Sequence, residues 1–306
     1  MRWQFFIRLG HGTVPAWARY DLMDEKLDTS REGRFPERDK AAIESKTPIT
    51  APAVFEVIRR GGEQELMRPA TALIASALVA GLALGFSVLS KALLTAHLPQ
   101  TTWAPLITSL GYTVGFLIVI MGQMQLFTEN TITVVVPALE KPCKTVFLQV
   151  ARLWGLVLGA NLLGAFLFGV VLALTSHLEP STWNAVLDIS AHGTGRGFSE
   201  TLMMGIGAGW LIAALVWIMS TTDQGHFALI TVITYVISLA GFSHVIAGGV
   251  EVGALVAAGE AALGAKLLTF ILPAVIGNVV GGTVIYTLLT WAQIKADRQS
   301  HPELSD

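Results

Sequence analysis

The chain has 306 residues, of which 53% are hydrophobic and only 14% charged, with a formal net charge of −2 and a mean hydropathy of +0.60. Soluble domains carry about a quarter charged residues, so a soluble enzyme is excluded, and with no basic stripe so is a nucleic-acid binder. The single cysteine, Cys143, excludes an internal disulfide.

Charge is concentrated at the start of the chain, where twelve of the twenty Lys and Arg residues precede residue 69. Residues 1–50 read as a polar cytoplasmic extension, with too little apolar surface between 24 and 50 to fold alone. The apolar run in MRWQFFIRLGHGTV is too short and too interrupted for a signal peptide. Residues 51–68, with PAVFEVIRRGGEQELMR, predict an amphipathic segment on the cytoplasmic face, interrupted at Gly61-Gly62. A membrane domain follows over 69–293, and a polar cytoplasmic tail over 294–306.

A helix needs about 20 apolar residues to cross roughly 30 Å of hydrocarbon. Segments 69–93, 149–175, 200–220 and 266–292 meet that requirement. Segments 104–139 and 226–259 are apolar but too long for one crossing, and each has a polar or Gly-rich interruption. They read as spans two and five of six, each broken near its middle. Six spans place both termini on one side. With both termini inside, seventeen Lys and Arg lie inward, and only Lys91, Arg196 and Lys266 lie outward.

The two halves repeat one another. NLLGA begins at Asn161, in the span after the first interruption, and NVVGG begins at Asn278, in the span after the second. Three spans per half require opposite orientations, so the sequence predicts an inverted 3+3 repeat with its substrate path near the midplane. Small-residue spacing at Gly155, Gly159, Gly164 and Gly169, and at Gly277, Gly281 and Gly282, predicts close helix packing.

The first interruption, GQMQLFTENTITVVVP at 122–137, puts a polar knot in an apolar segment. Irregular backbone at membrane depth is tolerated only when buried in protein or lining a wet cavity. LFTEN offers amides and hydroxyls where a helix ends and restarts, and helix N-termini favour anions. Its counterpart is GFSHVIAGG at 241–249, where His244 is the sole histidine in the apolar body of either broken span. An ionisable residue inside a span marks a functional site by default. The alternative for His244 is a hydrogen-bonded structural histidine, and for Glu129 a helix-capping carboxylate.

The stretches GYTVGFLIVIMGQMQLFTENTITVVVP, ANLLGA, GFSHVIAG and IGNVVGG resemble the formate/nitrite transporter family over about residues 50–295, and the charged extension and QLFTENT are most similar to its YfdC-like branch. The resemblance implies an aquaporin-like, all-α protomer in the inner membrane. Five such protomers would form a homopentamer, each with its own pore for small monovalent anions or their weak acids. It places the family's loop threonine on Thr128, preceded by Leu126 and Phe127, and its central histidine on His244. One constriction falls on Tyr112 and its partner on Ile237, where formate channels carry an aromatic ring. The Glu before the histidine in formate channels is Ser243 here, an Asn four residues after it is Gly248, and a span-four Asn is Gly209. The vestibule lysine has no direct match, though Arg196 lies nearby; Glu129 and Asn130 are further candidates for the path. MDEKLDTSREGR, opening at Met23, resembles the family's charged start better than residues 1–22 do, which makes Met23 a candidate translation start.

Other classes lack their motifs. There is no HExxH, Walker loop or strand-flanked GxGxxG, and the lone cysteine has no metal partner, so neither an enzyme, a metal site nor a cofactor is expected. A neutral-solute channel of the aquaporin type usually carries paired Asn-Pro-Ala boxes, and neither interruption has one. A transport-inactive membrane scaffold, holding a partner through residues 1–60, is the remaining alternative.

Overall fold

The computed structural model describes residues 49–174 and 178–300, together with Pro36 and Asp39; the side chains of 298 and 300 are not described. The polar extension, the candidate start at Met23 and the end of the tail fall outside the described residues. From Thr50 onward the chain belongs to one compact unit.

Every described element is helical. Helix α1 spans Ala51–Met67, begins with Pro52 in its first turn and buries Val54, Phe55, Ile58 and Leu66. It runs unbroken through Gly61-Gly62, where the sequence reading placed an interruption. The physical reason is packing: a Cβ on Gly62 would overlap the Thr133 carbonyl, so this glycine lets α1 lie close against its neighbour.

Helix α2 follows at Ala70–His97 and α3 at Ala104–Met121; the short helices α4 (Asn130–Thr133) and α5 (Val135–Glu140) precede the long α6, Lys144–Leu174. Then come α7 (Pro180–Thr194), α8 (Phe198–Met219), α9 (His226–Leu239), α10 (Val245–Ala257) and α11 (Leu263–Asp297). Among the described residues α2, α3, α6, α8 and α11 are long and apolar enough to cross a membrane, whereas α9 and α10 are shorter apolar pieces. At 1.5 Å per residue, the 28 residues of α2 reach about 42 Å, more than the hydrocarbon thickness. Large apolar side chains such as Phe86, Leu148, Leu163, Val171 and Leu289 stand exposed around the bundle, a surface suited to lipid rather than water.

Two long apolar segments leave the helical path, the first at residues 122–129 and the second at 240–244. Gln123 takes a left-handed φ of 50° and Gly241 one of 66° at these points. Close packing brings the two excursions together. Helices α2 and α10 lie on α6, and α8 lies on α11. Gly164, Gly169, Gly277 and Gly281 leave no room for a side chain at these crossings, whereas Gly155 and Gly159 face open space and mediate no contact within the chain. Close approach was expected at all of them; it occurs where a neighbouring backbone crosses.

Candidate functional site

The site is built at the two helix interruptions, and two asparagines hold them. Asn161 on α6 accepts the Phe127 N–H (2.9 Å) and donates to the carbonyls of Gln125 (2.9 Å) and Ala77 (2.7 Å). Asn278 on α11 accepts the Val245 N–H (3.0 Å) and donates to the carbonyls of Ser243 (2.8 Å) and Gly205 (2.9 Å). One buried amide thus binds three backbone groups at each place, two of them at the interruption, where the helical ladder is broken, and the third the carbonyl of a neighbouring helix. The amides of LFTEN, expected to be free, are largely taken: Glu129 and Asn130 N–H both donate to the Leu126 carbonyl.

This scaffold presents Thr128 and His244 to each other. Thr128 Oγ1 lies 2.9 Å from His244 Nε2, with both residues buried. His244 is also the N-cap of α10, its Nδ1 accepting the Ala247 N–H at 3.4 Å. A backbone amide can only donate, so Nδ1 is the acceptor and the ring proton sits on Nε2, donated to Thr128. The Thr128 hydroxyl hydrogen is thereby left for another acceptor. The edge of Phe116 packs on the imidazole, ring centres 4.9 Å apart, and Tyr112 packs on Phe116 at 5.3 Å.

His244 lies at the wall of a cavity of about 490 Å³, which Tyr112, Ile237, Ser243 and Arg196 also line. The buried Ser243 hydroxyl has no hydrogen-bond partner in the structure. Arg196 donates to the Gly241 carbonyl at 2.7 Å and pairs with Glu200 at 3.1 Å. Leu126 and Phe127 are buried but do not line this cavity, and Phe127 packs edge-on against Trp154 at 5.8 Å. Asn130 is consumed by scaffolding: it donates to Gln125 Oε1 (3.1 Å), accepts from Thr133 (2.9 Å), and its carbonyl accepts Trp154 Nε1 (3.0 Å). Glu129 precedes α4 and makes no capping bond, so the cap at these interruptions is His244 rather than the carboxylate.

The glycines standing where formate channels carry asparagine are filled from elsewhere. A side chain on Gly248 would meet the ring of Phe270, and one on Gly209 the backbone of Asn278.

Sequence reasoning missed three contributors. Lys91 lines the cavity and donates to Ser238 Oγ at 3.1 Å, with its ammonium 5.9 Å from the Tyr112 ring centre. Helix α7, Pro180–Thr194, forms part of the wall although no element was expected there. Glu251, buried on α10, also faces the cavity. The signal for Glu251 was the same one that found His244, an ionisable residue inside an apolar segment. Among the described residues no His, Cys, Asp and Glu cluster could hold a metal ion.

Apolar helices with exposed apolar faces, folded around a buried His–Thr pair beside a cavity lined by Lys91, Arg196, Asp188 and Glu251, define a polytopic membrane protein. The formate/nitrite transporter family model matches residues 52–292, and the chain belongs to this family. The inner membrane protein YfdC of Escherichia coli K12 is 37% identical over 279 residues, covering 91% of this chain and 90% of that protein. The formate channel FocA of E. coli K12 is 25% identical over 224 residues, 65% of this chain and 77% of FocA. Among solved structures, a pentameric formate channel with formate bound superposes with a TM-score of 0.61 at 18% identity, covering 73% of this chain and 96% of that one. A second, described as an FNT family ion channel, gives 0.67 at 17% identity, over 78% of this chain and 98% of that one.

Proposed function

We propose that this protein is a transmembrane pore for small monovalent anions or their conjugate weak acids, working as a homopentamer in the inner membrane with both termini cytoplasmic. Its six spans form an inverted 3+3 repeat in which spans two and five are the interrupted ones. The family membership, the formate channels among its relatives and the pentameric structural neighbour support this reading. The observation that carries it is the buried 2.9 Å contact between Thr128 and His244, the latter lining a cavity that also bears Lys91 and Arg196.

Magnitudes decide how an anion passes such a point. A bare anion in low dielectric faces a solvation penalty of tens of kcal/mol before compensation. Protonating a carboxylate of pKa near 3.9 at neutral pH costs about three units at about 1.36 kcal/mol each, roughly 4 kcal/mol. The neutral acid is the cheaper traveller. The cationic cavity collects the anion, the Thr128 hydroxyl hydrogen-bonds it, and the pair delivers the proton. His244 takes a proton at Nδ1 from a hydronium ion, which leaves as water, while its Nε2 proton moves to Thr128 and the Thr128 proton to the anion, a net transfer of one proton from solvent to the anion. The cost is the Ala247 contact, which at 3.4 Å is long and weak. The neutral acid then passes the apolar surfaces of Tyr112, Ile237, Leu126 and Phe127.

The test is uptake of formate, nitrite, acetate, lactate and hydrosulfide by proteoliposomes across about pH 5 to 8, over which a weak acid's neutral fraction changes roughly a thousandfold. Uptake should rise toward low pH, and His244→Phe should lower it by about a hundredfold, the scale of a lost proton-transfer group. Equal uptake by the variant contradicts the histidine's role; no uptake of any acid contradicts the pore.

A further inference from the structure

Of the three cations that the charge count placed on the outer side, Lys91 and Arg196 line the same cavity as one buried carboxylate, Glu251, and Lys266 lies within electrostatic reach of it. Glu251 lies seven residues beyond His244, two turns along the same face of α10, which at 1.5 Å per residue is about 10 Å further along the cavity wall. It is 9% exposed. Its Oε2 rests against α7, since a Cβ on Gly193 would approach it to 2.5 Å. Lys91 from α2, Arg196 before α8 and Lys266 from α11 are the cations whose fields reach it, and its own field reaches Tyr112.

None of the three is spent on Glu251. Lys91 is held by Ser238 Oγ at 3.1 Å, Arg196 by the Gly241 carbonyl at 2.7 Å, and Lys266 by the Thr194 carbonyl at 2.8 Å. Among the described residues Glu251 makes no direct ion pair. The cations are pinned by other oxygens, and the carboxylate faces the cavity between them. Asp188 and Glu200 also face this region, but both are exposed and so screened by water and salt. Three half-buried cations, with only the exposed Glu200 carboxylate paired to Arg196, would hold an anion too tightly to release it, and conduction requires binding weak enough to leave.

Resting on the pore reading above, we propose that Glu251 is a specificity-determining residue of the pore. Its carboxylate, outside His244, competes with the permeating monovalent anion for Lys91, Arg196 and Lys266 and keeps that anion loosely held.

The test reads the cavity's potential without transport. Cys143 is the chain's one cysteine and is exposed, so Cys143→Ser with Thr95→Cys places a single thiol at the cavity wall. Purified protein in detergent is reacted with an anionic sulfonatoethyl and a cationic trimethylammonioethyl methanethiosulfonate. Adding Glu251→Gln should raise the anionic-over-cationic rate ratio about tenfold; because the reagents differ by two charges, this is the equivalent of about 0.7 kcal/mol per unit charge in the cavity potential. Glu251→Met, also neutral, should do the same if the amide variant fails to fold, and the charged Glu251→Asp should not. Formate uptake in proteoliposomes should then saturate at a roughly threefold lower concentration in the neutral variants. An unchanged ratio overturns the proposal while leaving the pore standing. A shifted ratio with no wild-type uptake of formate supports the counter-charge but removes the pore on which its role depends.

Discussion

The two helix interruptions share a scaffold and differ in content. Each is held by one asparagine making three bonds to backbone, with the accepted amide 34 residues before Asn161 and 33 before Asn278. Around the first, the chain places hydroxyls and a carboxylate and braces them from α1, where Glu65 accepts from Gln125 Nε2 at 2.7 Å. Around the second, it places an imidazole and an unpartnered serine hydroxyl that open on the cavity. The difference teaches that the asparagines make the half-helix ends and the flanking residues make the chemistry. A substitution in one layer should leave the other readable.

The largest effect belongs to the shared layer. Asn161→Leu leaves the Phe127 N–H and the Gln125 carbonyl unpaired, and Asn278→Leu the Val245 N–H and the Ser243 carbonyl, at about 1–3 kcal/mol per group. Either should lower stability in detergent by several kcal/mol, seen as a large fall in thermal midpoint or as loss of folded protein. If the scaffolds are equivalent, the two losses match. A variant that kept the wild-type midpoint would show that the asparagine bonds at that interruption are dispensable.

A smaller effect belongs to the contact where the two meet. Thr128→Val keeps the side chain's shape and removes the oxygen that accepts the His244 Nε2 proton, at 2.9 Å in the wild type. One buried donor is left unpaired, costing about 1–3 kcal/mol. Uptake should fall with His244 still present, because the hydroxyl that would hand a proton to the anion is gone. Full uptake by Thr128→Val would divide the pair and leave the histidine acting alone.

Much of this layering is legible in the chain. The Asn-x-x-Gly motifs point to the helices whose asparagines hold the interruptions, because a buried amide is the economical way to satisfy backbone groups where a helix is broken, and the polar knot at 122–137 stands out against apolar neighbours. What is not legible is convergence. Lys91, Arg196 and Lys266 are far apart in sequence and appear there only as three outward charges; that all three act on Glu251, the first two from the same cavity wall, depends on how α2, α7, α10 and α11 pack. The identity of the cap is hidden for a similar reason. Glu129 has the cap's usual chemistry, but α4 is a single short turn, and it is His244 that sits where α10 restarts. Helix α7 escaped notice because its mixed sequence, PSTWNAVLDISAHGT, has too little apolar length to read as a span.

The smallest effect tests the asymmetry of bracing, since α1 supports only the first interruption. Arg59 and Arg60 hydrogen-bond the Glu56 carboxylate, at 2.7–2.8 Å. The Arg59 bond outweighs the opposing effect of burial, and together with Arg60 holds the Glu56 carboxyl down from its ordinary 4.5 to about 2. A carboxylate whose folded pKa is depressed stabilises the fold above its unfolded pKa, and that contribution is lost as pH falls through the folded value. The window here runs from about 4.5 down to about 2. Because the side chain is 31% exposed and its partners lie on the same helix, the contribution is at most about 1 kcal/mol. Glu56→Gln should therefore be slightly less stable than wild type at neutral pH, and the gap should narrow progressively as the pH is lowered below about 4. Hydrogen exchange should locate the loosening: residues 122–129, tied to α1 through Glu65, lose protection, whereas 240–244 keep theirs. Equal loss at both interruptions would mean that α1 supports the whole bundle, and the asymmetry between the two sites would then lie in their side chains alone.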